Sequence, residues 1–169
     1  MASFLGAHGY DPGPTQRPIL AGLISGLLAT APAIALLYAF GSLEVEAQIL
    51  GLSVAATLAA GALVMAVAGA LYSRLFGRAA NDPRGGWLFG MAFGFLLWTA
   101  GAVLVLPLVS SGKAPAGDAA LGLFVSLVAW GAAIGALLPF VHRPLHKSIE
   151  SESQRTSTGP AGRLPRATR

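Results

Sequence analysis

The stretch that decides the fold is the longest uncharged run, GGWLFGMAFGFLLWTAGAVLVLPLVSSG, at residues 85–112. Three more runs without Asp, Glu, Lys, Arg or His accompany it, at residues 18–43, 47–73 and 119–141. About 20 mainly apolar residues suffice for a helix to span a bilayer, and all four runs are longer than that. The sequence therefore predicts an all-α fold, a bundle of four transmembrane helices near residues 19–40, 48–73, 86–109 and 119–141.

The composition of the chain agrees with this prediction. Charged residues make up 11% of the 169 residues and hydrophobic residues 54%, whereas soluble domains average about 25% charged residues. These values argue against a soluble enzyme, a disordered chain and a nucleic-acid-binding protein. The strand alternation of a membrane barrel is absent. The chain has no cysteine, which rules out disulfides and thiolate ligands.

The basic residues predict how the chain is oriented. Ten of the eleven Lys and Arg residues fall in the N-terminal arm, the loop after the second run and the C-terminal tail, which a four-helix chain places on one side. The other side has Lys113, with Glu44, Glu46 and Asp118. By the positive-inside rule, both termini are expected in the cytoplasm. Interfacial basic residues are predicted at Arg74, Arg78, Arg84, Arg143 and Lys147.

The same pattern divides the chain into three parts. Residues 1–17 are predicted to be an irregular cytoplasmic arm, and residues 18–147 the membrane domain. Residues 148–169 are a basic tail rich in Ser, Thr, Pro and Gly, which is too polar to form a core alone. The first apolar run is longer than a signal-peptide core and lacks its basic forerunner apart from Arg17, so we expect an uncleaved helix.

Small residues at four-residue spacing mark faces on which membrane helices approach closely. The second helix has two such rows, one of Gly51, Ala55 and Ala59 and one of Ala62, Ala66 and Ala70. Packing inside the bundle and docking onto another subunit are alternative uses of these faces. On the other three helices the candidate packing or partner-interface residues are Gly22, Gly26, Gly86, Gly90, Gly94, Gly131 and Gly135.

An internal repeat is visible at an offset of 68 residues. It aligns Gly22 with Gly90 and Gly26 with Gly94, and it also aligns Leu28, Leu36 and Ser42 with Leu96, Leu104 and Ser110. The unit would be a pair of helices. Because an even number of helices preserves orientation, the two units would be parallel repeats related by an axis along the membrane normal.

The segment from Gly86 to Trp98, together with the run from Leu104 to Pro107, resembles the third helix of small uncharacterised four-helix bacterial inner-membrane proteins of the YagU-like kind. The resemblance covers chiefly this helix and the general layout. It implies a multi-pass protein of the bacterial inner membrane and gives no catalytic residue to this chain.

The four apolar cores contain no ionisable side chain, and intramembrane ionisable residues are the usual mark of chemistry at depth. A pump, an ion-coupled transporter and an intramembrane protease are therefore disfavoured, and no catalytic residue is predicted. His142 and His146 are the weak cofactor-binding candidates, because a spacing of four residues would put both imidazoles on one helix face. The alternative is a basic interfacial belt formed with Arg143 and Lys147.

The preferred hypothesis is a non-catalytic accessory subunit that packs into a larger membrane complex, with an energy-transducing (respiratory or photosynthetic) complex as the expected setting. A second hypothesis is a stand-alone transporter or channel for a neutral or lipid-like solute, with a path along Ser25, Thr30, Thr57 or Ser126. A third is a cofactor-holding subunit that uses His142 or His146. No metal and no cofactor are expected; bound lipid and other membrane subunits are the expected partners, and nucleic acid is not.

Overall fold

The computed structural model describes residues 17–80, 82 and 84–145, and these residues form helices without a strand. Four helices are long and apolar enough to cross a membrane, and the third of them, Gly86–Val109, contains a π-helical segment at Thr99–Val105. The predicted four-helix transmembrane bundle is therefore confirmed. The helices are α1 (Pro18–Ala39), α2 (Ser42–Leu50), α3 (Val54–Ala80), α4 (Gly86–Trp98), α5 (Leu106–Val109) and α6 (Gly117–Leu145).

The second membrane helix starts later than the sequence predicts. Residues near 48 belong instead to α2, a separate short helix bounded by Gly41 and Gly51, whose φ angles of 63° and 67° are left-handed. A glycine in this conformation ends a helix without the strain that a Cβ would cause. Ser53 then caps α3, since its hydroxyl accepts a hydrogen bond of 3.2 Å from the backbone N–H of Ala56.

The other ends lie close to their predicted positions, with two extensions. α3 continues to Ala80 across non-helical backbone angles at Gly77, and α6 continues through Pro139 to Leu145. Both extensions lie at one end of the bundle, which we call the basic end because Arg17, Arg74 and Arg84 lie there. The opposite end, made by α2 and the loop at 110–116, is called the α2 end.

The helices follow the order α3, α1, α6, α4 around the bundle. Contacts are extensive within the hairpin of α1 and α3, within the hairpin of α4 and α6, and between the inner helices α1 and α6. By contrast, α3 touches α4 over a short stretch only. The core lies between the inner helices and contains Trp130, Ile134 and Leu138 of α6 together with small residues of α1.

Candidate functional site

The first hairpin is closed by glycines whose backbones touch. A Cβ on Gly22 would overlap the backbone of Gly69, and a Cβ on Gly69 would overlap the carbonyl of Gly22. One turn further along α1, a Cβ on Gly26 would lie 2.6 Å from the Met65 carbonyl oxygen. Only glycine fits such a separation between two helices, because any side chain would push the backbones apart.

The second hairpin repeats this arrangement in the same register. Gly90 lies against Gly131 as Gly22 lies against Gly69, and Gly94 lies against the Leu127 carbonyl as Gly26 lies against that of Met65. In each hairpin the second contact is four residues along each helix from the first. The contacts match at the predicted offset of 68 residues in the first helix of each pair and at an offset of 62 residues in the second, so the two hairpins are alike in contact pattern although the second is shorter between its contacts.

The seven glycines predicted as packing residues thus all lie at contacts between helices of this chain. Gly22 and Gly26 join α1 to α3, whereas Gly86, Gly90 and Gly94 join α4 to Gly131 and Gly135 of α6. None of these faces is left open to another subunit.

Sequence reasoning missed Gly69, which receives both glycines of α1. Ala66 and Ala70 of one predicted row lie at this same contact, since a Cβ on Gly26 would lie 3.4 Å from the Cα of Ala66 and a Cβ on Gly22 would lie 2.7 Å from that of Ala70. Gly51 of the other row lies outside the membrane helix. The signal was present, because Gly69 and Ser73 are small residues four positions apart within the same apolar run. What the sequence lacks is the register between α1 and α3.

The two hairpins meet along two seams of different construction. The first, which we call the Trp130 seam, lies between α1 and α6. Trp130 is fully buried there, and its indole Nε1–H donates a 2.9 Å hydrogen bond to the Gly26 carbonyl oxygen. The bond reaches the carbonyl of the same glycine that lets α3 approach α1, so one residue of α1 serves both neighbours.

The second seam, called the aromatic seam, joins α3 to α4 near the basic end. The Tyr72 hydroxyl donates a 2.9 Å hydrogen bond to the Gly86 carbonyl oxygen, and its ring centroid lies 5.3 Å from those of both Phe76 and Phe93. Phe93 also lies 6.3 Å from Trp130, so the two seams share an aromatic contact. Towards the α2 end, α3 lies apart from the third membrane helix.

Three of the four hydroxyls named for a solute path donate to nearby backbone carbonyls. Thr30, Thr57 and Ser126 are buried, and each donates to a carbonyl of its own helix, at Leu27, Ser53 and Leu123 respectively. Hydroxyls bonded in this way need no further role. The Ser25 hydroxyl is buried and makes no hydrogen bond within the described residues.

The histidine and basic candidates are only partly described. His142 is buried in α6, while His146 and Lys147 lie outside the described residues, so the predicted histidine pair and its cofactor stay predictions. Arg74 and Arg84 are exposed at the basic end, and the side chains of Arg78 and Arg143 lie outside the described part. Within residues 17–80, 82 and 84–145, no three His, Asp or Glu side chains cluster.

One carboxylate lies in an apolar setting outside the membrane helices. Glu46 is half-buried on α2, and burial raises the pKa of its carboxyl above the usual range. Glu44 of the same helix is exposed. α2 therefore combines one solvated and one partly desolvated acid.

Comparison of the chain with protein-family models, with curated protein sequences and with solved structures finds no match.

Proposed function

We propose that this chain is a non-catalytic membrane subunit that packs into a larger assembly through the outer face of α3. The single observation that carries the proposal is the difference between the ends of α3. Near the basic end it is packed on α1 and α4, whereas its first half has only one buried residue, Thr57.

The exposed half of α3 has the composition of a helix-packing face. Ala55, Ala56, Ala59 and Ala60 are exposed at successive four-residue spacings, and a Cβ on Gly61 would meet nothing within 4 Å. Small side chains offer no advantage in contact with lipid tails. They do stabilise contact with a neighbouring helix, because they permit close van der Waals packing. The exposed small residues of α3, rather than the glycines that are packed within the chain, therefore support a docking face on this helix.

A larger side chain on this packing face tests the proposal, because it would prevent the close approach of a neighbouring helix. In native membranes extracted with a mild detergent, the wild-type chain should migrate within a larger complex, and Ala56→Leu should release it as a free subunit. Ala35→Leu is the matched control, since Ala35 is an exposed alanine of α1 at a similar depth. A wild-type chain that is always monomeric, or equal behaviour of the two variants, would contradict the proposal.

The kind of assembly can be determined by identifying the subunits that bind this chain. The expectations of a respiratory or photosynthetic complex and of a bacterial inner membrane stay predictions, which identification of the copurified subunits tests. The transporter hypothesis gains no support from the hydroxyls, because three of the four are bonded to their own helices.

A further inference from the structure

An apolar cavity of about 180 Å³ lies at the α2 end, between the third membrane helix and the start of α6. Its walls come from three parts of the chain. Ala102 and Val103 belong to the π-helical segment, Pro115 to the following loop, and Ala120 and Leu123 to α6. The third membrane helix and α6, which touch at Gly90 and Gly131, are thus separated at this depth.

The cavity follows from the local sequence of the third helix. Pro107 has no N–H to donate to the carbonyl of Val103, and in an α-helix its ring would clash with that carbonyl. The backbone widens just before it, where the Leu106 N–H donates to the Gly101 carbonyl five residues earlier. No residue of the π-helical segment is buried. Such segments are rare and frequently occur at functional sites.

The size and lining of the cavity indicate an apolar occupant. Its volume equals about six times the roughly 30 Å³ that one water molecule takes up in the liquid. The cavity is partly open, and an apolar lining of this kind takes up hydrocarbon in preference to water. In a membrane the available hydrocarbon is the acyl chain of a lipid, and a segment of several methylene groups has the matching volume.

A charged residue lies directly beside this cavity. Lys113 is exposed and immediately precedes Ala114 and Pro115, which line the wall. The Ser110 hydroxyl oxygen lies 2.6 Å from the carbonyl oxygens of both Leu106 and Lys113, and its one proton is donated to one of them at a time, so Ser110 helps to hold the Lys113 backbone in place. A lysine at this position is complementary to the phosphate of a lipid headgroup.

The other charges at the α2 end determine the kind of headgroup. Glu44, Glu46 and Asp118 accompany Lys113, so acidic residues outnumber the basic one and an anionic headgroup is disfavoured. Asp118 is exposed in the first turn of α6, the helix that contributes Ala120 to the cavity. A headgroup with both a phosphate and an ammonium group complements the pair of Lys113 and Asp118.

We propose that this cavity binds one acyl chain of a zwitterionic phospholipid, with the headgroup phosphate beside Lys113 and the ammonium group beside Asp118. The proposal is independent of the packing of α3 into an assembly, because the cavity and the exposed alanines lie on different helices.

Lipid retention by the full chain tests the acyl-chain site. The purified protein is exposed to phosphatidylethanolamine and phosphatidylglycerol with identical chains, and bound lipid is counted by native mass spectrometry. Wild type should retain phosphatidylethanolamine preferentially. Ala102→Trp should fill the cavity and lower this retention about tenfold or more, because several methylene groups lose their site. Ala100→Trp, at an exposed residue of the same segment, should retain lipid as wild type does.

A second variant tests the headgroup without altering the packing. Lys113→Gln should weaken retention of phosphatidylethanolamine about fivefold, as expected for the loss of one lysine near a lipid phosphate. Arg84→Gln, an exposed position at the basic end, is the control. Equal retention of both lipids by wild type, equal loss in the two tryptophan variants, or no effect of Lys113→Gln would each overturn the proposal. Helix content measured by circular dichroism separates lost lipid from lost fold.

Discussion

The Trp130 seam and the aromatic seam occupy equivalent places in a bundle of two repeated hairpins, yet they differ in extent. A two-fold axis relating the hairpins would exchange the contact of α1 with α6 for that of α4 with α3. The first is extensive and the second short. One side of the bundle is therefore closed and the other open towards the α2 end. The difference shows that similar hairpins do not impose a symmetric assembly, because each seam depends on its own side chains.

The two seams can be compared only if each hairpin is an intact unit. The largest expected loss of unfolding free energy therefore comes from separating the two helices of one hairpin. Gly90→Leu would drive a side chain into the backbone of Gly131. We expect a loss of more than about 3 kcal/mol in unfolding free energy, beyond ordinary overpacking. Reversible unfolding in detergent micelles measures it. Gly101→Leu is the control, since a Cβ there meets nothing within 4 Å; equal losses would refute the hairpin contact.

The Trp130 seam should respond next. Trp130→Phe removes the hydrogen bond to the Gly26 carbonyl and leaves space in the core, for an expected loss of about 1–2 kcal/mol. The same unfolding assay applies. Trp87→Phe serves as the control, because the Trp87 indole donates to the Arg84 carbonyl in an exposed turn. A Trp130 variant as stable as the Trp87 variant would show that neither the hydrogen bond nor the volume of the indole stabilises the seam.

The aromatic seam should be less sensitive. Tyr72→Phe keeps the ring contacts with Phe76 and Phe93 and removes only the hydroxyl that binds the Gly86 carbonyl. We expect a loss of about 0.6 kcal/mol, the usual value for a hydrogen bond between membrane helices. Tyr38→Phe, at an exposed tyrosine of α1, gives the baseline. If Tyr72→Phe lowered the unfolding free energy more than Trp130→Phe, the aromatic seam would contribute more to stability than the Trp130 seam, contrary to this prediction.

The smallest effect concerns α2, which packs against the end of the Trp130 seam. Because burial raises the pKa of Glu46, the folded state binds its proton more tightly than the unfolded state. The contribution of Glu46 to stability is then largest below about pH 4.3, the usual pKa of glutamate, and is lost as pH rises through the raised value. Glu46→Gln should flatten this slope in thermal unfolding measured from roughly pH 4 to pH 8.

Glu44→Gln removes an exposed carboxylate from the same helix and controls for the loss of one negative charge. If Glu46→Gln left the slope of wild type unchanged, the partly desolvated setting of Glu46 would be refuted.

The membrane helices could be predicted from the sequence because exclusion of charge acts on each segment separately. An uncharged run long enough to span a bilayer needs no knowledge of its neighbours. The glycines of α1, α4 and α6 were predictable for the same reason, since close approach demands small residues wherever the partner lies. The start of α3 was placed too early because Gly51, read as one of a packing row, adopts a left-handed conformation that ends α2.

The seams could not be predicted, because they depend on the order of the helices around the bundle. Trp130 and Gly26 are 104 residues apart, and nothing local to either indicates the other. Tyr72 and Gly86 are nearer in sequence, but their bond requires the particular packing of α3 on α4. The π-helical segment likewise depends on how the backbone near Pro107 relaxes. The proline itself indicates only that the helix is irregular at this place.

The π-helical segment has a consequence for the phase of the third membrane helix. In an uninterrupted α-helix, each residue turns by about 100°, so Leu106 would lie about 120° around the axis from Gly94. Both residues are nevertheless buried. The π segment turns less per residue, and over its length it rotates Leu106 back to the side that faces the bundle. Deleting one residue from it would let the segment return to an α-helix with Leu106 about 20° around the axis from Gly94, so the π segment accommodates one extra residue without changing which face of the helix is buried.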